Sequence, residues 1–352
     1  MFSSSSYLSV WQAPMAGVTT PELVAAVSNA GGLGNIGAGY LSGAQTEQFI
    51  QQVKKLTDAP FGINLFVPEP IEEDTERVKY AQSLLISYRQ ELGMERDTSE
   101  KITVPSTYLE QLEVVLKERV PICSFTFGLP EEEVIQRLKA NRTIVIGTAT
   151  TVEEAIAVEK AGMDAVVVQG SEAGGHRGSF EKPERLIGLM SLLPQVVQEV
   201  QIPVIAAGGI MNSQGVAAAL CLGASAVQMG TAFLVTEESG AHPLHKEAIL
   251  TASETDAVLT KAFSGKSARG ITNRFLQEMQ AHEAKLPPYP VQNTLTAGIR
   301  KQAAKLNKAD YLSLWSGQSP RLSKRQTAEQ LIRLIEKEVG EVLQGSLRKI
   351  KR

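Results

Sequence analysis

Eight short apolar runs, each followed by a small or glycine-rich turn and then an amphipathic stretch, recur along the chain. They are Leu8–Ala13, Leu33–Gly37, Phe61–Phe66, Val120–Phe125, Thr143–Ile146, Ala165–Gln169, Pro203–Ala207 and Ala226–Met229. Several are apolar at nearly every position rather than at alternate ones, the pattern of parallel strands covered on both faces. Eight such strands alternating with helices predict an α/β protein of the closed (β/α)8 barrel type.

Helix boundaries agree with that count. Thr20 followed by Pro21 has the form of an N-cap and first helical position, with Gly31 beyond the last turn. Thr151 and Glu154 have capping-box spacing, and the helix they open stops near Gly162. Ser213 is placed to cap a helix through GVAAALCL that ends at Gly223.

Two stretches exceed a minimal barrel. Pro68–Arg119 carries a charged helix, EEDTERVKYAQSLLISYRQEL, suited to a solvated surface excursion or a lid. Residues 236–310 are more polar, helical in pattern, and broken at Pro287-Pro288-Tyr289-Pro290. This predicts a small, mainly helical domain at 236–310 inserted into a barrel formed by 1–235 and 311–352. The helix Ala328–Leu343 would return to the barrel, and the final Lys-Ile-Lys-Arg reads as a solvated tail.

Composition narrows the partners. Of 352 residues, 43% are hydrophobic, enough for one large core with a smaller one attached. A net charge of -3 without a basic run gives nucleic acid no face to bind. Cys123 and Cys221 belong to no metal-spaced cluster, so no metal is expected. Met1–Ser9 lacks the basic n-region of a secretory signal, and no window approaches the roughly 18 apolar residues of a membrane span. The expectation is a reduced, cytoplasmic protein without a membrane partner.

The chemistry concentrates at the strand exits. The seventh run ends in Gly208-Gly209 and the eighth in Gly230-Thr231. Loops after strands seven and eight of such barrels commonly hold a phosphate on backbone N–H groups, and glycine lets the backbone approach the anion. The sixth run opens into Gln169-Gly170-Ser171-Glu172-Ala173-Gly174-Gly175-His176-Arg177-Gly178. Its glycines let the backbone pass close to a flat ligand, and it presents one imidazole, His176, able to orient an anion or take a proton from carbon. His242, His245 and His282 fall in the polar insertion and carry no such signal. Arg177 and Glu172 can pair with each other or with solvent. Pro14, Met15, Ala16 and Gly17 close the first strand in a turn whose amides can reach a ring edge. Asn64, Gln169 and Gln228 are carboxamides inside or at the ends of apolar strands. Buried, they need partners, which either a ligand's polar edge or each other can supply.

Taken together and in order, PMAGVTTPELVAAVSNAGGLGNIGAGYLS, FGINLFVP, QGSEAGGHRG and PVIAAGGI…GVAAALCLGASAVQMGTAFL resemble the motifs of the nitronate monooxygenases, formerly 2-nitropropane dioxygenases, most closely the bacterial class I branch. The segments Ser124–Pro130, Tyr289-Pro290 and Leu314–Gln318 also resemble the family, with no substrate contact assigned to them. The resemblance implies an FMN-containing barrel. By motif match, Asn64, Gln169, Gly174, Gly209, Gln228, Met229, Gly230 and Thr231 would contact FMN, with Pro14, Met15, Ala16 and Gly17 facing the flavin; Gly175 and Gly208, from the same glycine loops, are expected at the cofactor with them. His176 would be the active-site histidine. The implied reaction is oxidation of alkyl nitronates such as propionate 3-nitronate by dioxygen, giving a carbonyl compound and nitrite-level nitrogen, a detoxification. A nitronate is already an anion, so His176 would mainly orient it and offset its charge.

Other activities share these features. An FMN-dependent, NADH-using enoyl-acyl carrier protein reductase has the same loop and glycine pairs, and an NADH:quinone reductase stands on the same scaffold. A barrel keeping FMN as a sensor, or a phosphosugar enzyme without flavin, would also explain the phosphate signal. The FGINLFVP and LGAGYLS segments and the extra helical stretch favour nitronate oxidation.

Overall fold

The computed structural model describes residues 10–70, 74–95, 102, 104 and 106–350. Leu8 and Ser9 of the first predicted run, Glu72 and Glu73 of the charged helix, and Lys351 and Arg352 of the tail lie outside them. Eleven strands are present among the described residues: β1 (Val10–Gln12), β2 (Asn35–Gly37), β3 (Gly62–Phe66), β4 (Ile122–Thr126), β5 (Ile144–Ala149), β6 (Ala165–Gln169), β7 (Gly175–His176), β8 (Val204–Ala207), β9 (Ala226–Met229), β10 (Ala257–Thr260) and β11 (Ala268–Ile271). Eight of them form one parallel sheet in the order β1-β9-β8-β6-β5-β4-β3-β2. A parallel bridge between Trp11 and Leu33 brings its two edges together, with Gln12 N–H donating to Leu33 O at 2.9 Å and Leu33 N–H to Val10 O at 3.1 Å. This is a (β/α)8 barrel, and each predicted run overlaps one of its strands, with β4 and β5 running on past theirs to Thr126 and Ala149.

The side-chain period of two sorts the strand residues into two cores. Trp11, Ile122, Ile146, Ala165, Val167, Ile205, Ala207 and Ala226 fill the barrel interior. Their sequence neighbours Val10, Cys123, Val145, Val166, Val168, Ala206 and Val227 pack outward under the helices. The same alternation carries upward to the strand ends, where Asn64, Ser124, Thr126, Gln169 and Gln228 share the inner face. Met229, the neighbour of Gln228, goes to the outer core and is 1% exposed.

Local caps explain where the helices begin. Thr20 accepts from Leu23 N–H at 3.0 Å and Pro21 is the first helical residue. Thr151 accepts from Glu154 N–H, but Glu154 does not return the bond as a capping box would. Its fully buried carboxylate instead accepts from Thr150 N–H and Oγ1, Ser179 Oγ, and the Phe180 and Glu181 amides, which fastens the loop beyond His176. Asn212, not Ser213, caps the next helix by accepting from Gly215 N–H, while Ser213 Oγ donates to Glu338 at 2.7 Å. That contact ties the helix to the terminal helix Ala328–Ile350, which also packs on Pro21–Asn29 and closes the barrel's outer layer.

A second hydrophobic core is built from both long excursions. The charged helix, Thr75–Glu91, is not merely a solvated excursion: Val78, Leu85 and Tyr88 pack with Phe263, Phe275, Leu295 and Ile299. Phe263 stacks on Phe275 with centroids 4.5 Å apart, and burying each contributes roughly 1.5–3 kcal/mol. Within 236–310 the sequence pattern suggested helices, yet β10 and β11 form an antiparallel pair, and β7 of the histidine loop adds to it as a third strand. Ala257-Val-Leu-Thr favours the extended chain because its branched residues pack well on a half-covered sheet. No helix among the described residues is long and apolar enough to cross a membrane.

Candidate functional site

At the C-terminal end of the barrel, a cavity of about 390 Å³ lies between the barrel mouth and the second core. That volume is in the range of small-molecule and cofactor sites. It is lined by Pro14, Met15, Ala16, Gly17, Asn64, Gln169, Gly174, Gly175, His176, Gly208, Gly209, Gln228, Gly230 and Thr231. The sequence-derived set therefore converges on one place, except Met229, whose side chain is turned away by the strand alternation.

The floor is polar where the barrel's inner face reaches the mouth. Asn64 Nδ2 donates to Ser124 Oγ at 2.9 Å and to Thr126 Oγ1 at 3.0 Å. Gln169 Nε2 donates to the His176 carbonyl at 3.1 Å, and its Oε1 accepts from Gly178 N–H at 2.9 Å. These two carboxamides are held by the protein. The side chain of Gln228, whose backbone pairs within the barrel sheet, makes no hydrogen bond among the described residues, so its carboxamide is free for a ligand.

The glycines divide by reason. Gly208 and Gly209 have φ of +113° and +70°, a backbone that side chains rarely adopt, and Gly209 lies against Glu172. Gly230 has an ordinary φ of -102°, and an added Cβ would meet nothing closer than Ala13 Cβ at 3.7 Å. Folding does not demand glycine at Gly230, so the bare backbone there leaves room for something other than protein. Thr231 Oγ1 accepts from Gly317 N–H at 2.9 Å, leaving its hydroxyl proton to donate.

His176 projects from β7 into an aromatic frame. Its ring centroid is 5.5 Å from Trp315, 5.9 Å from Tyr289 and 6.0 Å from Phe127. Its Nε2 is buried without a hydrogen-bond partner. Burial, reinforced by the charges of Arg300 and Lys266, lowers its pKa to about 3. The imidazole is therefore neutral at ordinary pH, and by itself it cannot offset a negative charge as the sequence suggested; it can donate or accept one hydrogen bond. A bound anion would raise that pKa.

Arg177 does not face the cavity or pair with Glu172. It is 1% exposed and donates to the carbonyls of Gly170 at 2.7 Å and Gln169 at 3.1 Å, bracing the exit of β6. Glu172 accepts from Leu189 N–H at the start of the helix Leu189–Glu199. Several cavity residues carry no individual site signal in the sequence: Tyr40, which stands within LGAGYLS, His245, which belongs to the polar insertion, and Phe127, Arg300 and Trp315. Phe127 and Trp315 lie in segments marked only as family-like. His245 Nε2 is 2.8 Å from the Trp315 carbonyl and fixes that segment beneath His176. Among the described residues, no group of three or more His, Cys, Asp or Glu could hold a metal ion.

Comparison with known proteins places this cavity in a family. Residues 3–338 match the family model described as nitronate monooxygenase. A probable nitronate monooxygenase of Staphylococcus haemolyticus is 54% identical over 330 residues, covering 92% of each chain. Among solved structures, nitroalkane oxidase from Streptomyces ansochromogenes superposes with a TM-score of 0.88 at 42% identity, covering 96% of this chain and 97% of that one. FabK from Thermotoga maritima has a TM-score of 0.78 at 33% identity, covering 97% and 96%. With the barrel, the glycine exits and the histidine loop all in place, the chain belongs to the nitronate monooxygenase family and is an oxidoreductase.

Proposed function

We propose that this protein binds FMN in the barrel-mouth cavity and oxidises alkyl nitronates, propionate 3-nitronate among them, with dioxygen. One observation carries the reading: the glycine exits of β8 and β9, a free carboxamide and an unpartnered imidazole nitrogen all face a single cavity. The residues fit a flavin. The backbone at Gly208, Gly209, Gly230 and Thr231 suits its phosphate tail, and the free carboxamide of Gln228 suits the donor–acceptor edge of its ring, beside Asn64 and Gln169, whose carboxamides are fixed by the protein and keep only their remaining hydrogen-bonding capacity for it. When bound, FMN supplies the electron acceptor that dioxygen reoxidises.

The chain's own share is positioning. His176 Nε2, unpaired inside the protein, can donate to an oxygen of the nitronate and fix it beside the ring position. Phe127, Tyr289 and Trp315 keep water from the imidazole, which strengthens that one bond. Because the nitronate is already deprotonated, the reaction asks no base of the protein. A neutral nitroalkane would need one, and the neutral His176 is suited to accept that proton.

The test is an absorption spectrum of the purified protein followed by oxygen uptake. Bound flavin and oxygen consumption with propionate 3-nitronate are expected, with a carbonyl product and nitrite-level nitrogen. Rapid anaerobic bleaching by NADH, without turnover of any nitronate, would instead favour an enoyl-thioester or quinone reductase. A colourless protein would end the FMN reading.

A further inference from the structure

The cavity is lined by a cation, Arg300, whose charge no acidic group among the described residues answers. Arg300 enters from the helix Val291–Lys305, on the wall supplied by the second core. Its Nη2 donates to the backbone carbonyl and to Oδ1 of Asn293, at 2.9 and 2.8 Å, both neutral acceptors. Its Nε is buried without a partner. No ion pair of the described residues includes it, whereas Lys266, the other cation near His176, is paired with Glu69 at 2.5 Å. Tyr40 is the neighbouring polar group, and burial raises the pKa of its hydroxyl, so it brings no negative charge.

A guanidinium stays protonated even when burial lowers its pKa, so Arg300 remains a desolvated positive charge. Such a charge is costly unless an anion completes it, and a planar fork matches a planar two-oxygen anion. The nitronate group is one. Arg300 is also placed for the substrate rather than for the cofactor's phosphate. It comes from the second core with Trp315, its charge acts on His176, and the proposed phosphate backbone lies at the exits of β8 and β9.

We propose that Arg300 is the anion receptor of the active site, holding the two oxygens of the nitronate and selecting this anion over the corresponding neutral nitroalkane. The inference rests on the cavity being the nitronate site. The division of labour is then that Arg300 supplies charge and the neutral His176 supplies direction.

The holoenzyme variants Arg300→Gln and Arg300→Lys test this. In R300Q, KM for a nitronate should rise about tenfold or more, with kcat changed far less, as expected for a lost charge-assisted contact. KM for the conjugate nitroalkane should stay within about twofold. R300K, which keeps the charge but not the fork, should recover part of the loss. Titration with nitrate, a redox-inert planar anion, followed through the flavin absorption band, should show about tenfold weaker binding in R300Q. Nitrate and nitronate binding in R300Q as tight as in the wild type overturns the proposal. So does a defect in R300Q that consists of lost flavin, which would put the guanidinium on the cofactor's phosphate. If the wild type turns over no nitronate at all, the proposed function falls by itself, while the nitrate titration still decides whether Arg300 receives an anion.

Discussion

The side chain of Gln169 holds the backbone of His176. Its Nε2 donates to the His176 carbonyl at 3.1 Å, while Oε1 accepts from Gly178 N–H on the far side of the histidine. The last residue of a barrel strand thus clamps both flanks of the loop that presents the imidazole. Replacing Gln169 by Ala leaves the buried Gly178 N–H without its acceptor, a loss of about 1–3 kcal/mol. The expected outcome is a lower Tm together with a fall in kcat, since the imidazole loses its anchor. An unchanged kcat in a folded Gln169→Ala protein would show that the clamp does not position His176.

Replacing His176 by Ala should leave flavin bound while greatly impairing turnover. With a nitronate the loss is that of one hydrogen bond to an anion, about 10- to 100-fold in kcat/KM. With a neutral nitroalkane, whose proton must also be taken, it should reach about 10²- to 10⁴-fold. Rates measured with both substrates decide it: equal losses remove the base role, and full activity removes His176 from the mechanism.

Gly230 and Gly209 separate the cofactor's needs from the fold's. At Gly230 an added Cβ has ordinary φ and 3.7 Å of clearance, so Gly230→Ala should fold with the Tm of the flavin-free wild type but hold FMN more weakly. At Gly209, φ of +70° and a Cβ contact of 3.2 Å to Glu172 make Gly209→Ala costly without any ligand, by about 1–2 kcal/mol. Flavin affinity and the melting temperature of stripped protein measure the two effects. Wild-type flavin affinity in Gly230→Ala would move the cofactor away from the β9 exit.

Acid should loosen the fold through two histidines. Burial lowers the pKa of His176 to about 3 and that of His245 to about 4, from an ordinary 6.5. Between those values the unfolded chain binds more protons than the folded one, so stability falls as pH drops below about 6.5 and continues to fall toward 4 and 3. Above pH 6.5 neither group contributes. His245→Gln removes one of the two sites and should make the acid limb of the Tm–pH curve shallower. An acid limb of unchanged slope would assign it to other groups.

Much of this was legible in the sequence because the barrel repeats one local rule. Apolar strand, glycine exit and capped helix recur, and Thr20, Gly208 and the histidine loop were placed by that rule alone. Met229 was not, because two successive strand residues cannot both face inward; once Gln228 is assigned to the mouth, Met229 must pack outward. Glu154 fits a capping box by spacing, but its carboxylate is claimed by the Thr150 amide and by the amides of Phe180 and Glu181, more than twenty residues away. Arg300, Tyr40 and Trp315 meet only through tertiary packing, from three distant segments with no shared period. The hairpin of β10 and β11 escaped notice because its short strands lie among polar and helical residues, and its third member is two residues of a glycine loop.

That third member has a mechanical consequence. Ala268 pairs with His176 and Arg269 with Gly175, while the preceding Gln169 belongs to the barrel sheet. The imidazole is thus stitched into both halves of the molecule within seven residues of chain. The halves cannot swing apart like jaws without tearing the rung that carries the histidine. Traffic into the cavity must therefore pass by side chains stepping aside at its rim, and rigidifying the rim should slow entry without disturbing the seam.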